Sequence, residues 1–198
     1  LLPLHAQSQP ESAASLFQKA EKLYYENKNE QSEKLLNQID DEFCRSEKWV
    51  LECAETRILL AILKSSDRKF ESSLSLLDRA ESMVIENWGP SSDLMSKIYR
   101  TRINTFLASG KFEAGQNEMD AALKYLESYD KQYKAAARIY LSTGDLLEEL
   151  GNYPEAIDYY QKSLSAVSTM EKDESALRLR SIAYNNLALS YRMSGELA

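Results

Sequence analysis

Tyr140-Leu-Ser-Thr-Gly144-Asp-Leu-Leu-Glu-Glu-Leu-Gly151-Asn-Tyr153-Pro-Glu-Ala156-Ile-Asp-Tyr-Tyr160-Gln-Lys-Ser163-Leu164 is the stretch from which the rest of the chain can be read. Tyr140, Gly144 and Leu147 stand eleven, seven and four residues before Gly151. Offsets of three and four place them on one face of a helix. Beyond Gly151 come Tyr153, small Ala156, Tyr160 and Ser163, again at helical spacing. Where two antiparallel helices cross closely, a small side chain on one must receive a large one from the other. Glycine at the corner permits the left-handed conformation that ends the first helix. Pro154 suits the first turn of the second, where no intrahelical N–H bond is lost. The stretch therefore predicts a helical hairpin.

The same arrangement recurs along the chain. Asn27, Arg68, Gly110, Gly151 and Gly195 are the corners, separated by 41, 42, 41 and 44 residues. Seven residues before them stand Ala20, Ala61, Ile103, Gly144 and Ala188, small in four of five cases. Five residues after the first four stand Ser32, Ser73, Gly115 and Ala156, all small. A fixed period of this size marks a solenoid. Helices are expected over 12–26, 30–44, 47–65, 70–86, 91–109, 112–128, 131–150, 154–170 and 174–194. Ser91, Ser92 and Asp93 supply helix-start chemistry after Gly89-Pro90. The fold class is thus all-α, a right-handed α-α superhelix of about four and a half hairpins. Residues 11–198 form one array with repeats at 12–45, 47–88, 91–129, 131–171 and 174–198, the last incomplete. That last repeat stops where a second helix should begin, so a longer parent protein is expected.

Composition agrees with helix and excludes several functions. Six glycines and four prolines in 198 residues are too few for a many-stranded β fold. A net charge of −7 without a Lys/Arg-rich run argues against nucleic-acid binding. No stretch approaches the roughly 20 apolar residues that span a bilayer, so membrane insertion of this segment is not expected. Leu1-Leu2-Pro3-Leu4-His5-Ala6-Gln7 reads as the end of a secretory signal peptide, with residues 1–10 as leader. An exported chain, periplasmic or extracytoplasmic, is expected. Cys44 and Cys53 are read as two unpaired core thiols; a disulfide across a helix corner is the alternative.

His5 is the only histidine and lies in that leader, so no Ser-His-Asp or Cys-His constellation can be assembled. The cysteines lack metal spacing and no glycine-rich phosphate loop occurs. No enzyme activity, cofactor or metal is expected. Asp40-Asp41 and Glu148-Glu149 are neighbours on helices that point different ways and read as solvated faces. Of the twelve tyrosines, Tyr99, Tyr140, Tyr153, Tyr160, Tyr184 and Tyr191 occupy repeat-packing sites.

The 140–164 stretch resembles a tetratricopeptide repeat along its full length, and Tyr184-Asn-Asn-Leu-Ala188-Leu-Ser-Tyr191-Arg-Met-Ser-Gly195 resembles the first helix of another. The usual repeat has 34 residues; this one averages 42, about one more turn per helix. Such long repeats are similar to those of exported bacterial proteins and kinesin light chains. The match is weaker in the first two repeats, where Arg57 and Lys64 replace apolar residues, Arg68 a glycine and Asn29 an aromatic. A HEAT-like array shares the period but not this residue order.

The resemblance implies a scaffold for protein or peptide partners, with the first helix of each hairpin lining a concave groove. Inward positions then include Phe17, Tyr24, Ile58, Ile62, Lys97, Arg100, Asn104, Arg138, Asn185, Asn186 and Arg192. Asparagine can bond both N–H and C=O of an extended peptide, and Lys or Arg can hold a carboxylate. Lys97, Arg100, Asn104 and Arg138 resemble part of the family's carboxylate clamp. Ser142 stands where a second asparagine would help, and Asp145 brings opposing charge. Ordinary charged helix faces are the plainer reading of these four. Asn186 has a second reading too, bracing helix packing. The leading function is a docking scaffold, the N-terminal segment of a larger exported bacterial protein. The alternatives are the sensory ectodomain of a membrane-bound kinase or transcription regulator, and an accessory array of a caspase-like peptidase. Oligomeric state is not legible in the sequence.

Overall fold

The computed structural model describes residues 12–45, 47–90, 92–127, 133–170 and 174–195. The leader, residues 1–10, lies outside the described residues. Helix α1 runs Ala13–Tyr25, α2 Asn29–Glu42, α3 Val50–Ser66, α4 Phe70–Trp88 and α5 Asp93–Ala108. They are followed by α6 Phe112–Glu127, α7 Tyr133–Glu149, α8 Tyr153–Ser168 and α9 Glu174–Ser194. A short 3-10 turn, Glu47–Trp49, leads into α3. No strand occurs among the described residues. Each odd helix pairs with the even helix after it, packs on the even helix before it, and touches the next odd helix. Three apolar clusters follow one another along the stack, centred on α1–α3, α3–α7 and α7–α9. The helices are stacked in a row, not gathered about one centre, and form a right-handed superhelix.

All five corner residues are left-handed: Asn27 at φ 59°, Arg68 at 62°, Gly110 at 73°, Gly151 at 75° and Gly195 at 79°. The first four corners close alike. The N–H of Lys28, Lys69, Lys111 and Asn152 donates to the carbonyl of Leu23, Lys64, Phe106 and Leu147 at 2.8–2.9 Å. Those bonds satisfy helix-end carbonyls that would otherwise lack partners. Asn27 tolerates the conformation through its short polar side chain; Arg68 has no such excuse. Ser92 caps α5, its hydroxyl accepting from the Leu94 N–H at 3.3 Å.

Within the hairpins the small residues meet as the spacing requires. Buried Ser32 and Ser73 each donate a hydroxyl hydrogen bond of 2.8 Å across the crossing, to the carbonyls of Ala20 and Ala61. Gly144 faces the fully buried Tyr160 ring, and a Cβ there would sit 2.5 Å from Tyr160 Cε1. Tyr184, read as a packing residue, is 57% exposed: no described helix covers that face of α9.

Two residues that depart from the repeat pattern, Arg57 and Lys64, have partners in the neighbouring hairpin. Arg57 is buried on α3 and donates to Asp40 of α2 at 2.8 Å, while Arg79 of α4 reaches the other Asp40 oxygen at 3.2 Å. Lys64 pairs with Glu33 of α2. On α5, buried Arg102 holds Asp78 and Glu81 of α4 and Glu118 of α6 at 3.0, 2.7 and 2.8 Å. The solvated-face reading of the acid pairs is therefore corrected in part. Asp41 and Glu149 are exposed, but Asp40 is bound to arginine and Glu148 is half-buried against Tyr160 and Ser190.

The expectation of two unpaired thiols is overturned. Cys44, just after α2, is bonded to Cys53 of α3, with the Cα atoms 5.5 Å apart. The turn at Glu47–Trp49 brings α3 back beside the end of α2, which sequence spacing alone could not show. The covalent link and the Arg57–Asp40 and Lys64–Glu33 pairs thus lie along one seam.

Three stability predictions follow from these contacts. Arg68→Gly is expected to stabilise the chain by about 0.5–1 kcal/mol in urea denaturation, since the left-handed penalty exceeds the entropic cost of glycine. Gly144→Ala is expected to destabilise by about 1–3 kcal/mol, overpacking outweighing the gain in helix propensity. Reducing the disulfide opens the loop it closes in the unfolded chain and should cost about 2–3 kcal/mol on the chain-entropy account. Alkylation before reduction should label neither cysteine, and after reduction both.

Candidate functional site: the concave groove

Helices α1, α3, α5, α7 and α9 each present one face to a cavity of about 670 Å³. Only first helices of hairpins contribute, because each second helix is set on the outside of the stack. Phe17, Tyr24, Ile58 and Ile62 make an apolar wall at the α1–α3 end. Lys97, Arg100 and Asn104 come from α5 at intervals of three and four, one above the other, and Arg138 faces them from α7. Lys134 of α7 and Arg178 of α9 join the lining.

The groove is basic in an acidic protein. Among the described residues its lining holds five cations (Lys97, Arg100, Lys134, Arg138 and Arg178) against two acids, Glu21 and Glu55, whereas the chain carries −7. Lys97 Nζ is engaged by Glu55 at 2.7 Å, and Arg138 Nη1 lies 3.8 Å from Asp93. Arg100 is half-buried, and its Nε lacks a hydrogen-bond partner among the described residues. Burial pulls the Arg100 guanidinium below its ordinary pKa, and the Arg138 charge acts in the same direction. An anion between them would offset both costs. Arg178 lies over the Tyr25 ring at 5.6 Å, so α9 touches α1 across the mouth of the groove.

The remaining residues read as inward from the sequence are placed elsewhere. Asn186 does not face the groove; its amide donates to Asp145 Oδ1 at 2.7 Å and braces α9 on α7. Asn185 and Arg192 are exposed and outside the lining. Ser142 is buried in α7. Lys134, Arg178 and Tyr25 were not singled out in the sequence. Arg178 lies outside the motif positions, and its approach to α1 depends on how far the superhelix turns over all its hairpins. No group of three or more potential metal ligands occurs among the described residues, and no described helix is long and apolar enough to cross a membrane.

The tetratricopeptide repeat family model matches residues 100–171, from within α5 to just beyond α8. No curated protein matches the chain. Among solved structures, BtubC (BKLC) from P. vanneervenii superposes with a TM-score of 0.70 at 17% identity, covering 92% of this chain and 72% of that one. MamA from AMB-1, in a P212121 crystal, gives a TM-score of 0.47 at 17% identity, covering 92% and 82%. At such identity the likeness to BtubC is one of fold. Residues 100–171 thus carry tetratricopeptide-repeat sequence, within a described chain that has the superhelical fold throughout.

Proposed function

We propose that the concave groove binds an extended, acidic segment of another polypeptide, and that the chain is a docking scaffold built from long repeats. The observation that carries this reading is the excess of cations among the described residues of the groove in a chain with net charge −7, with Arg100 Nε unpartnered among those residues. Each odd helix presents a step of the wall, so a ligand lying along the stack meets Lys97 and Arg100, then Arg138, then Arg178. Asn104 adds an amide able to bond a peptide backbone without reading its side chains. The apolar wall from Phe17 to Ile62 would receive an apolar side chain of the same segment. Because the groove is formed by packed helices, little ordering of the scaffold is needed on binding.

The same proposal places the segment outside the cytoplasm, at the N-terminal end of a larger exported bacterial protein. The Cys44–Cys53 bond supports this, since disulfides persist in oxidising compartments. So does the signal-like composition of residues 1–7.

The test is fluorescence anisotropy with labelled peptides of equal length and graded charge. Acidic peptides should bind and neutral ones bind far more weakly, with affinity falling as salt rises. Arg100→Gln should weaken acidic-peptide binding about ten- to a hundredfold, the usual worth of a charge-assisted hydrogen bond. Asn185→Ala should leave it unchanged. Equal affinity for acidic and neutral peptides, or an Arg100→Gln protein that binds like the parent, would exclude this reading.

A further inference from the structure

We propose that the seam where α9 seats on α7 and α8 is a proton site, in which one proton shared by Asp145, Glu148 and the Tyr160 hydroxyl sets how firmly α9 is held. The consequence for ligand entry rests on the groove reading above; the proton site itself does not.

The seam has more hydrogen-bond contacts than hydrogens to fill them. Tyr160 Oη lies 3.0 Å from Asp145 Oδ1 and 3.2 Å from Glu148 Oε2. The Asn186 amide donates to the same Asp145 oxygen at 2.7 Å, and the Ser190 hydroxyl to the same Glu148 oxygen at 2.6 Å. With both carboxyls ionised, these contacts have one hydrogen each from Tyr160, Asn186 and Ser190. A phenol has one hydrogen to give, so one of its two carboxylate contacts sets acceptor against acceptor. A proton on Asp145 completes the set: Asp145 donates to Tyr160 Oη, and Tyr160 donates to Glu148. The ring cannot withdraw, because it is fully buried against Gly144.

Among the described residues no ion pair at the seam supplies the missing positive charge. Neither Asp145 nor Glu148 has an ion-pair partner among the described residues. From α8 the group facing Asp145 is Tyr160, and from α9 it is the neutral Asn186, while the neutral Ser190 faces Glu148. From α6 it is a carbon contact, Gly115 against Leu146; the α6 acid Glu118 is occupied by Arg102. Arg100 of α5 acts to lower the Asp145 pKa, by less than burial or Glu148 raises it. Burial accordingly raises the Asp145 pKa from 3.8 to about 6.

The sign follows from that rise. An acid whose pKa is raised in the packed state holds a proton that the unpacked state releases, so packing loosens as pH rises from the ordinary carboxyl value of 3.8 toward about 6, and above that the proton's contribution is gone. Helix α9 carries Ser175, Arg178, Leu179 and Ile182 into the groove, and Arg178 reaches Tyr25 of α1. A loosened α9 removes that wall and opens the contact with α1.

Amide hydrogen exchange of α9 in the intact chain, without ligand and corrected for intrinsic rates, tests the proposal. Between about pH 8 and pH 5 the α9 opening equilibrium should fall about tenfold, while α1 serves as the internal reference. Asp145→Asn imitates the protonated acid, so its α9 should be protected at both pH values with the step abolished. Should that variant fail to fold, carbon-13 titration of the parent's side-chain carboxyls decides: Asp145 should titrate near 6. An α9 no more pH-dependent than α1, a step that survives Asp145→Asn, or an Asp145 carboxyl titrating in the ordinary range would overturn the proposal. Because no ligand is present, failure here leaves the groove reading standing, and loss of peptide binding leaves the proton site standing.

Discussion

A small residue on the first helix of a hairpin set against the second is the contact on which the whole array depends. At Ala20–Ser32 and Ala61–Ser73 the backbones come close enough for a serine hydroxyl to reach the opposite helix's carbonyl. At Gly144 the missing Cβ makes room for the Tyr160 ring. Close approach buries the inner face of each hairpin but leaves its sides apolar, and only another hairpin can cover them. The left-handed corner serves the same end, because it turns the chain back within two residues of the first helix's end. Stacking is then the form in which every apolar face but the terminal ones finds a partner, and the groove is the inner side of that stack.

Between hairpins the chain uses charge where the repeat pattern is weakest. A buried arginine is costly unless its partners are in place. Arg57 and Arg102 have them, and the partners sit on different hairpins. Such pairs fix how one hairpin sits on the next, because a shifted neighbour would leave a desolvated guanidinium unpaired. The disulfide does the same at the first seam by covalent means. Two of the departures that blur the early repeats in sequence, Arg57 and Lys64, are thus contacts that join them in space.

The groove and the α9 seam place opposite charges at two levels of one helix. On α7, Arg138 faces the cavity, while Asp145 and Glu148 face α8 and α9. Two turns of helix separate them, and Arg100 lies near enough to act on both Arg138 and Asp145. Electrostatic changes at the seam and in the groove therefore meet at one guanidinium, in a part of the fold where burial weakens solvent screening.

The sequence by itself determined the hairpins, their period and their order. Helical periodicity, the small-residue sites and the corner residues are local properties, and a non-glycine such as Arg68 betrayed its corner only through the spacing of its neighbours. It also brought Lys97, Arg100 and Asn104 onto one face, since their separations are those of a helix. Tertiary structure decided what depends on distances between elements. The Cys44–Cys53 bond required the turn that lays α3 beside α2. The diversion of Asn186 to Asp145 required α9 to sit on α7, 41 residues away in sequence. The arrival of Arg178 opposite Tyr25 required the curvature summed over every hairpin between them. Periodicity specifies which face of a helix is apolar; it carries no information on how far each hairpin rotates against the last, and that rotation is set by side-chain packing across the seams.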